Sequence, residues 1–157
     1  MGKLDAAFLP EQWATLAENF GFKMLLMSQD VWPEMQGSVL VVKEELINIY
    51  PEIVKKIVMI SKRATDWINQ YPQEAAEIVT RQLQKTEGNL YSGQLSDITN
   101  RNEMGPDVLF KSMKKLNYTT DINSKIVQET IDYMAQLGYI KTIFKAGDIL
   151  DLRFLEE

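Results

Sequence analysis

The chain has 157 residues, a length that suits one domain or at most two, and 45% of them are hydrophobic. Its net charge of -5 disfavours general nucleic-acid binding, because that binding depends on clustered Lys and Arg that neutralise phosphates. The absence of Cys and His excludes disulfides, Cys/His zinc sites, thiol nucleophiles and Ser-His triads. A carboxylate-only metal site or a Lys- or Asp-based mechanism stays open, but no motif indicates either, and we predict no cofactor.

Three short apolar runs in the first quarter of the chain predict β-strands. Residues 4–9 form a run that Pro10 ends, and residues 22–27 form a second run. Residues 38–42 are rich in valine and flanked by turn residues, which makes them the clearest of the three. Runs that are apolar throughout are typical of strands buried on both faces of a parallel sheet. The sequence therefore predicts an α/β protein with a few short strands in its first quarter, mostly helical afterwards.

Helices are predicted between and after these runs. Proline marks most of their starts, because its missing N–H costs nothing in the first turn, and glycine marks two of their ends. The predicted helices span residues 10–21, 44–50, 51–70, 72–83, 105–116 and 121–138, followed by a short one from residue 148. Residues 28–37 and 85–104 are predicted to be mainly loops, because they are polar and weakly patterned.

Individual side chains also carry structural expectations. Asp121 is expected to cap the helix that Gly138 closes, and Asp148 to cap the last one. Trp67 lies on an apolar stripe at helical spacing, which predicts a place in the core. The pair Lys114-Lys115 is interpreted as part of a solvated face.

A series of short segments carries a family resemblance. It begins with Gly2-Lys3-Leu4-Asp5-Ala6-Ala7-Phe8 and continues with Ala17–Gly21, Asp30–Pro33, Val39–Leu46, Tyr50–Val54, Ala64–Asn69, Pro72–Ala76, Ile131–Ile140 and Asp151–Leu155. In their order and spacing these segments resemble ABC-transporter solute-binding proteins of the nitrate/sulfonate/taurine type, which include the thiamine-pyrimidine-synthesis-like proteins.

This resemblance implies a type II periplasmic-binding-protein clamshell, with ligand between two lobes. Members of the family are about twice as long as this chain, so we expect it to be a C-terminal half. Residues 1–42 would be the end of the second lobe and the crossover back to the first, and residues 43–157 the helical C-terminal part of the first lobe. The implied function is non-enzymatic binding of a small anionic or heterocyclic organic solute for a membrane permease of an ABC transporter. The full-length parent would lie outside the cytoplasm, whereas this chain shows no signal segment and alone would be soluble in the cytoplasm.

Two other functions stay open. The same family contains an enzyme of the pyrimidine-synthesis branch, but by resemblance that protein depends on a histidine, which this chain lacks. The chain could instead be a structural or interaction module without ligand. As a secondary prediction, the incomplete set of strands indicates that this chain forms a homodimer, because exposed strand edges pair readily.

The first group of predicted ligand-binding residues is Leu9, Pro10, Glu11 and Gln12. They stand where a predicted strand passes into a helix, and by resemblance this turn borders the ligand cleft. Free N–H groups at a helix N-terminus suit an anionic head group. The alternative is that Glu11 is an ordinary acidic residue in the first turn of a helix.

The second group consists of Trp32, Gln36 and Ser38. Trp32 could form a wall of the pocket, because aromatic side chains bury much area with little loss of entropy. Gln36 and Ser38 could donate hydrogen bonds to a ligand just before the predicted strand 38–42. The alternative is that Trp32 packs as a lid on its own part of the protein.

Overall fold

The computed structural model describes residues 4–90 and 104–155, apart from the side chains of residue 84 and residues 86–90. Within this part of the chain the regular structure is helical. The α-helices are α1 (Glu11–Asn19), α2 (Ser28–Val31), α3 (Glu44–Ile49), α4 (Pro51–Gln70), α5 (Pro72–Leu90), α6 (Pro106–Met113) and α7 (Ser124–Gln136), and a short 3₁₀ helix follows at Ala146–Asp148. Most of the predicted loop 85–104 lies outside the described residues.

Proline and glycine set most of the helix boundaries, as predicted. Pro51, Pro72 and Pro106 each stand at the first position of a helix. Gly21 and Gly138 follow α1 and α7 with φ angles of 87° and 80°, a left-handed conformation that glycine adopts without strain. In both cases the glycine N–H and the next N–H bond back to carbonyls of the last turn.

The predicted α/β fold with strands in the first quarter is wrong. Residues 4–9, 22–27 and 38–42 form no strand in the structure, and among the described residues none is present anywhere. The apolar side chains of these runs are largely exposed, Val41 among them. A strand forms only where a neighbour completes its hydrogen-bond ladder, and the described part of the chain supplies no such neighbour. The structure therefore does not show a clamshell built on sheets.

Two predicted caps are also wrong. Asn123, not Asp121, caps α7: its side-chain oxygen accepts from the backbone N–H groups of Lys125 (3.1 Å) and Ile126 (3.4 Å). Asp121 instead accepts a hydrogen bond from the Thr119 hydroxyl, at 2.9 Å, so it belongs to the turn before the helix. Asp148 ends the 3₁₀ helix instead of starting a helix.

The chain divides into two units, and the first is a helical cluster. It takes its residues from Met1–Leu25 and Asp66–Tyr118. Helices α1 and α5 both pack against α6, around the buried residues Leu16, Ala75, Ala76, Met104, Val108, Leu109 and Met113. The two alanines have small side chains, which allows close approach of the α6 backbone to α5.

The second unit takes its residues from Leu26–Thr65 and Thr119–Glu157. Its buried apolar residues are few: Val54 on α4, Ile126 and Ile131 on α7, and Ala146. Polar bridges supplement them. The Lys62 ammonium donates to the backbone oxygen of Leu155 at 3.1 Å, which ties α4 to the C-terminal segment.

The apolar stripe of α4 does not lie in the core, contrary to the prediction for Trp67. That side chain is 38% exposed and contacts Tyr71, with ring centroids 5.6 Å apart. Ile53 and Ile60 are also exposed, whereas Val54 is the buried residue of the helix. Periodicity locates an apolar stripe on a helix, but the neighbours that cover it are decided elsewhere in the chain.

We predict that Leu109→Ala lowers the free energy of unfolding by about 2–5 kcal/mol, because it opens a cavity in the core of the first unit. Leu109 is 4% exposed and belongs to that core. Chemical denaturation followed by circular dichroism measures the change. The matched control is Leu25→Ala in the same unit, where the side chain is exposed and the expected loss is under about 0.5 kcal/mol. Equal losses in the two variants would contradict the assigned core.

Candidate functional site

The four residues of the first predicted group lie at the N-terminus of α1, where Pro10 is the N-cap and Glu11 the first helical residue. Leu9 and Pro10 are exposed, and the Pro10 carbonyl accepts from the N–H groups of Trp13 and Ala14, both at 3.0 Å. Glu11 and Gln12 are half-buried in the first turn. No side chain caps this helix start. The first-turn N–H groups of α1 are therefore not occupied by a capping side chain.

Glu11 is turned along the helix into a polar network, not back onto the helix start. Its carboxylate accepts from the Thr15 hydroxyl at 2.6 Å and lies 3.2 Å from the Lys115 ammonium. That ammonium also donates to Thr15 at 2.8 Å and to Glu18 at 2.6 Å. Thr15 is only 2% exposed, so its hydroxyl needs both of these partners. The network joins Lys115, the second residue after α6, to one face of α1.

The electrostatics of this network centre on Lys115. Partial burial acts to lower its pKa, but hydrogen bonds to Glu18 and Glu11 and the attraction of both carboxylates outweigh burial and raise the pKa above its ordinary value. The interpretation of Lys115 as a solvated residue is therefore wrong. Its neighbour Lys114 is exposed and lies over the Phe110 ring, 4.2 Å from the centroid.

The second predicted group lies in the other unit, in the segment that contains α2. The half-buried Trp32 meets the Tyr133 ring of α7 edge to face, with centroids 6.3 Å apart. The Gln36 amide is used at both ends: it donates to the Asp121 carbonyl at 3.0 Å and accepts from the Asn123 N–H at 3.1 Å. Gln36 thus holds its loop against the start of α7. Ser38 is exposed, and its hydroxyl has no hydrogen-bond partner in the part of the chain that the structure describes.

Over residues 4–90 and 104–155, no group of three acidic side chains is placed to hold a metal ion. Of the described helices, none is long and apolar enough to cross a membrane. The first group provides a helix start without a capping side chain, and the second provides an aromatic ring and a hydroxyl without a partner among the described residues.

Comparison with known proteins gives one family. The model of the NMT1-like family matches residues 1–83, just over half of the chain. All seven predicted ligand-binding residues lie within the matched segment. No curated protein and no solved structure gives a significant match. The resemblance of residues 131–155 to the family lies outside the matched segment and stays a prediction.

We predict that Lys115→Met lowers the free energy of unfolding by about 1 kcal/mol at neutral pH, because it leaves Thr15, Glu11 and Glu18 without their shared donor. A raised pKa in the folded state means that the contribution of Lys115 is complete below the ordinary lysine pKa of about 10.4 and is lost as the pH rises through the raised value. The difference between wild type and variant should therefore shrink in alkaline solution. Urea titrations at a series of pH values measure it.

The matched control for this prediction is Lys125→Met. Lys125 is 83% exposed and pairs loosely with Glu129, at 3.8 Å, so its loss should change stability by less than about 0.5 kcal/mol. If the Lys115 variant proves no less stable than this control, the network does not stabilise the fold.

Proposed function

The chain belongs to the NMT1-like family of nitrate/sulfonate/taurine-type solute-binding proteins, and from that membership we propose that it is the solute-binding component of an ABC-type importer. The proposed solute is a small anionic or heterocyclic organic molecule, bound without chemical change. The match over residues 1–83 carries this proposal, because it includes every residue predicted to contact ligand. A membrane permease is the proposed partner, and the parent protein is proposed to act outside the cytoplasm.

The start of α1 supports an anionic solute. Its first-turn N–H groups lack a capping side chain, and the helix dipole places partial positive charge there. A carboxylate so close would repel an anion if it were free. Glu11 is instead drawn toward Lys115, at 3.2 Å, which offsets part of its charge. We propose that Leu9 and Pro10 border the solute at the N-terminus of α1 and that Gln12 forms a polar contact with it.

The segment around Trp32 supports a flat or heterocyclic group in its own unit. Trp32 uses one edge contact with Tyr133, and Ser38 keeps a hydroxyl available for a hydrogen bond. The Gln36 amide is already bonded at both ends, so it would reach a solute only by exchanging one of these bonds. We propose Trp32 and Ser38 as direct contacts and Gln36 as the residue that positions their loop.

Titration calorimetry of the chain with nitrate, taurine and a substituted pyrimidine tests the proposed function. We expect saturable binding of at least one of them, and Trp32→Ala should weaken it about fivefold, since an aromatic contact contributes about 1 kcal/mol. Tyr139→Ala in the same unit is the matched control, because that side chain is exposed and outside the predicted site. Absence of heat with all three solutes would count against solute binding, and unchanged affinity in the Trp32 variant would remove that residue from the site.

We also propose that the chain forms a homodimer. Among the described residues, the exposed large hydrophobic side chains outnumber the buried ones, and residues 39–41 form a continuous exposed group. Exposed apolar area of this kind favours association. A second copy of the chain is the partner always available at equal concentration.

Light scattering coupled to gel filtration tests the dimer. The expected mass is twice the 18.1 kDa of one chain, and Val41→Asp should shift it toward the monomer, because a charge on an apolar interface must be desolvated. Lys43→Asp, at another exposed position nearby, is the control and should leave the mass unchanged. A strictly monomeric wild-type chain overturns this proposal and leaves the solute titration unaffected.

A further inference from the structure

Helix α4 has two faces of different character within the second unit. On one face Val54 is buried and Lys62 bonds to the Leu155 carbonyl. On the other face lies a row that we call the isoleucine stripe: Ile53, Ile57, Ile60 and Ala64. Ile53 is 47% exposed and Ile60 is 64% exposed. The stripe is thus an apolar surface that is open at Ile53 and Ile60 and that borders the packed side of the helix at Val54.

The spacing of the stripe fits another helix. Its members follow one another at alternating steps of four and three residues. Alternating steps of four and three residues are the heptad spacing at which two helices interlock side chains along a shared seam. Ala64 at one end is small, which favours close approach of a second backbone.

One edge of the stripe is basic. Lys56 and Arg63 are seven residues apart, so they lie on the same side of the helix, next to Ile60. Both are exposed, and neither has an ion pair or hydrogen bond with any residue that the structure describes. Glu52 and Asp66 lie one turn away, but the structure shows no ion pair between them and these cations, so Lys56 and Arg63 beside the apolar row favour a partner of opposite charge.

We propose that the isoleucine stripe binds an amphipathic helix of another protein whose apolar seam is bordered by acidic side chains. A second copy of α4 does not meet this requirement. In an antiparallel pair the basic edges would face each other, and in a parallel pair Lys56 would face Ser61. An anionic membrane surface is also a poorer match, because the other edge of the stripe carries Ser61 and Thr65 and the whole chain is negative.

Fluorescence anisotropy with two labelled peptides of about three heptads tests this surface. Both peptides carry leucine at the seam positions, and the flanking positions carry glutamate in one and lysine in the other. The acidic peptide should bind the chain at least tenfold more tightly than the basic one, and added salt should weaken it, because the flanking charges are exposed. Ile60→Asp should abolish binding.

Charge reversal makes the test specific. The double variant Lys56→Glu with Arg63→Glu should invert the preference between the two peptides, whereas Lys125→Glu, an exposed cation elsewhere in the same unit, should not. Circular dichroism confirms that each variant remains folded. Equal affinity for the two peptides, or binding to phosphatidylserine vesicles with none to either peptide, overturns the proposal. A change of mass in the Ile60 variant would also overturn it, since that result assigns the stripe to a second copy.

This inference is independent of the proposed function. Solute titration uses residues outside the isoleucine stripe, so the Ile60 and charge-reversal variants should bind solute as the wild type does. Loss of peptide binding with intact solute binding, and the reverse, are therefore distinguishable results.

Discussion

Packing of α1 and α5 against α6 is the constraint on which the first unit depends. Its core is small, and two of its members are alanines in α5, so there is little apolar area to lose. The Lys115 network adds a polar fastening at the edge of the same contact, and its hydrogen bonds and charge attractions fix the rotation of α1. The first turn of α1 therefore occupies a fixed position. The solute contacts that we propose on that turn would be held by the same contacts that hold the fold.

The helices could be predicted from the sequence because their boundaries are local. Pro51, Pro72 and Pro106 start helices because the proline ring fixes φ near the helical value and removes an N–H that has no partner there. Gly21 and Gly138 end helices because glycine adopts a positive φ without strain. Strands have no such local cause. Residues 38–42 have the composition of a strand, but a strand also requires a neighbouring backbone, and composition says nothing about whether one is present.

In the candidate site, too, the features that depend on neighbouring residues could be predicted from the sequence, whereas the contacts with distant residues could not. The start of α1 could be found from the sequence, because proline followed by an acidic first turn is a local pattern. Its stabilising partner could not. Lys115 is separated from Thr15 by 100 residues, and beside Lys114 it had the pattern of an ordinary solvated pair. Gln36 was identified as a polar residue of the loop, but its partners at residues 121 and 123 depend on a turn that the sequence predicted with the wrong cap.

The two exposed apolar surfaces, residues 39–41 and the isoleucine stripe, differ in the partners that they favour, because only the stripe has charged side chains along its edge. The group at residues 39–41 has no charged side chain within it, so the hydrophobic effect draws it toward any apolar surface. The isoleucine stripe has the regular spacing of a helix seam and a basic edge formed by Lys56 and Arg63. Spacing restricts its partners to helices, and the basic edge disfavours helices with basic borders, a second copy of α4 included. The two surfaces therefore select partners by different criteria.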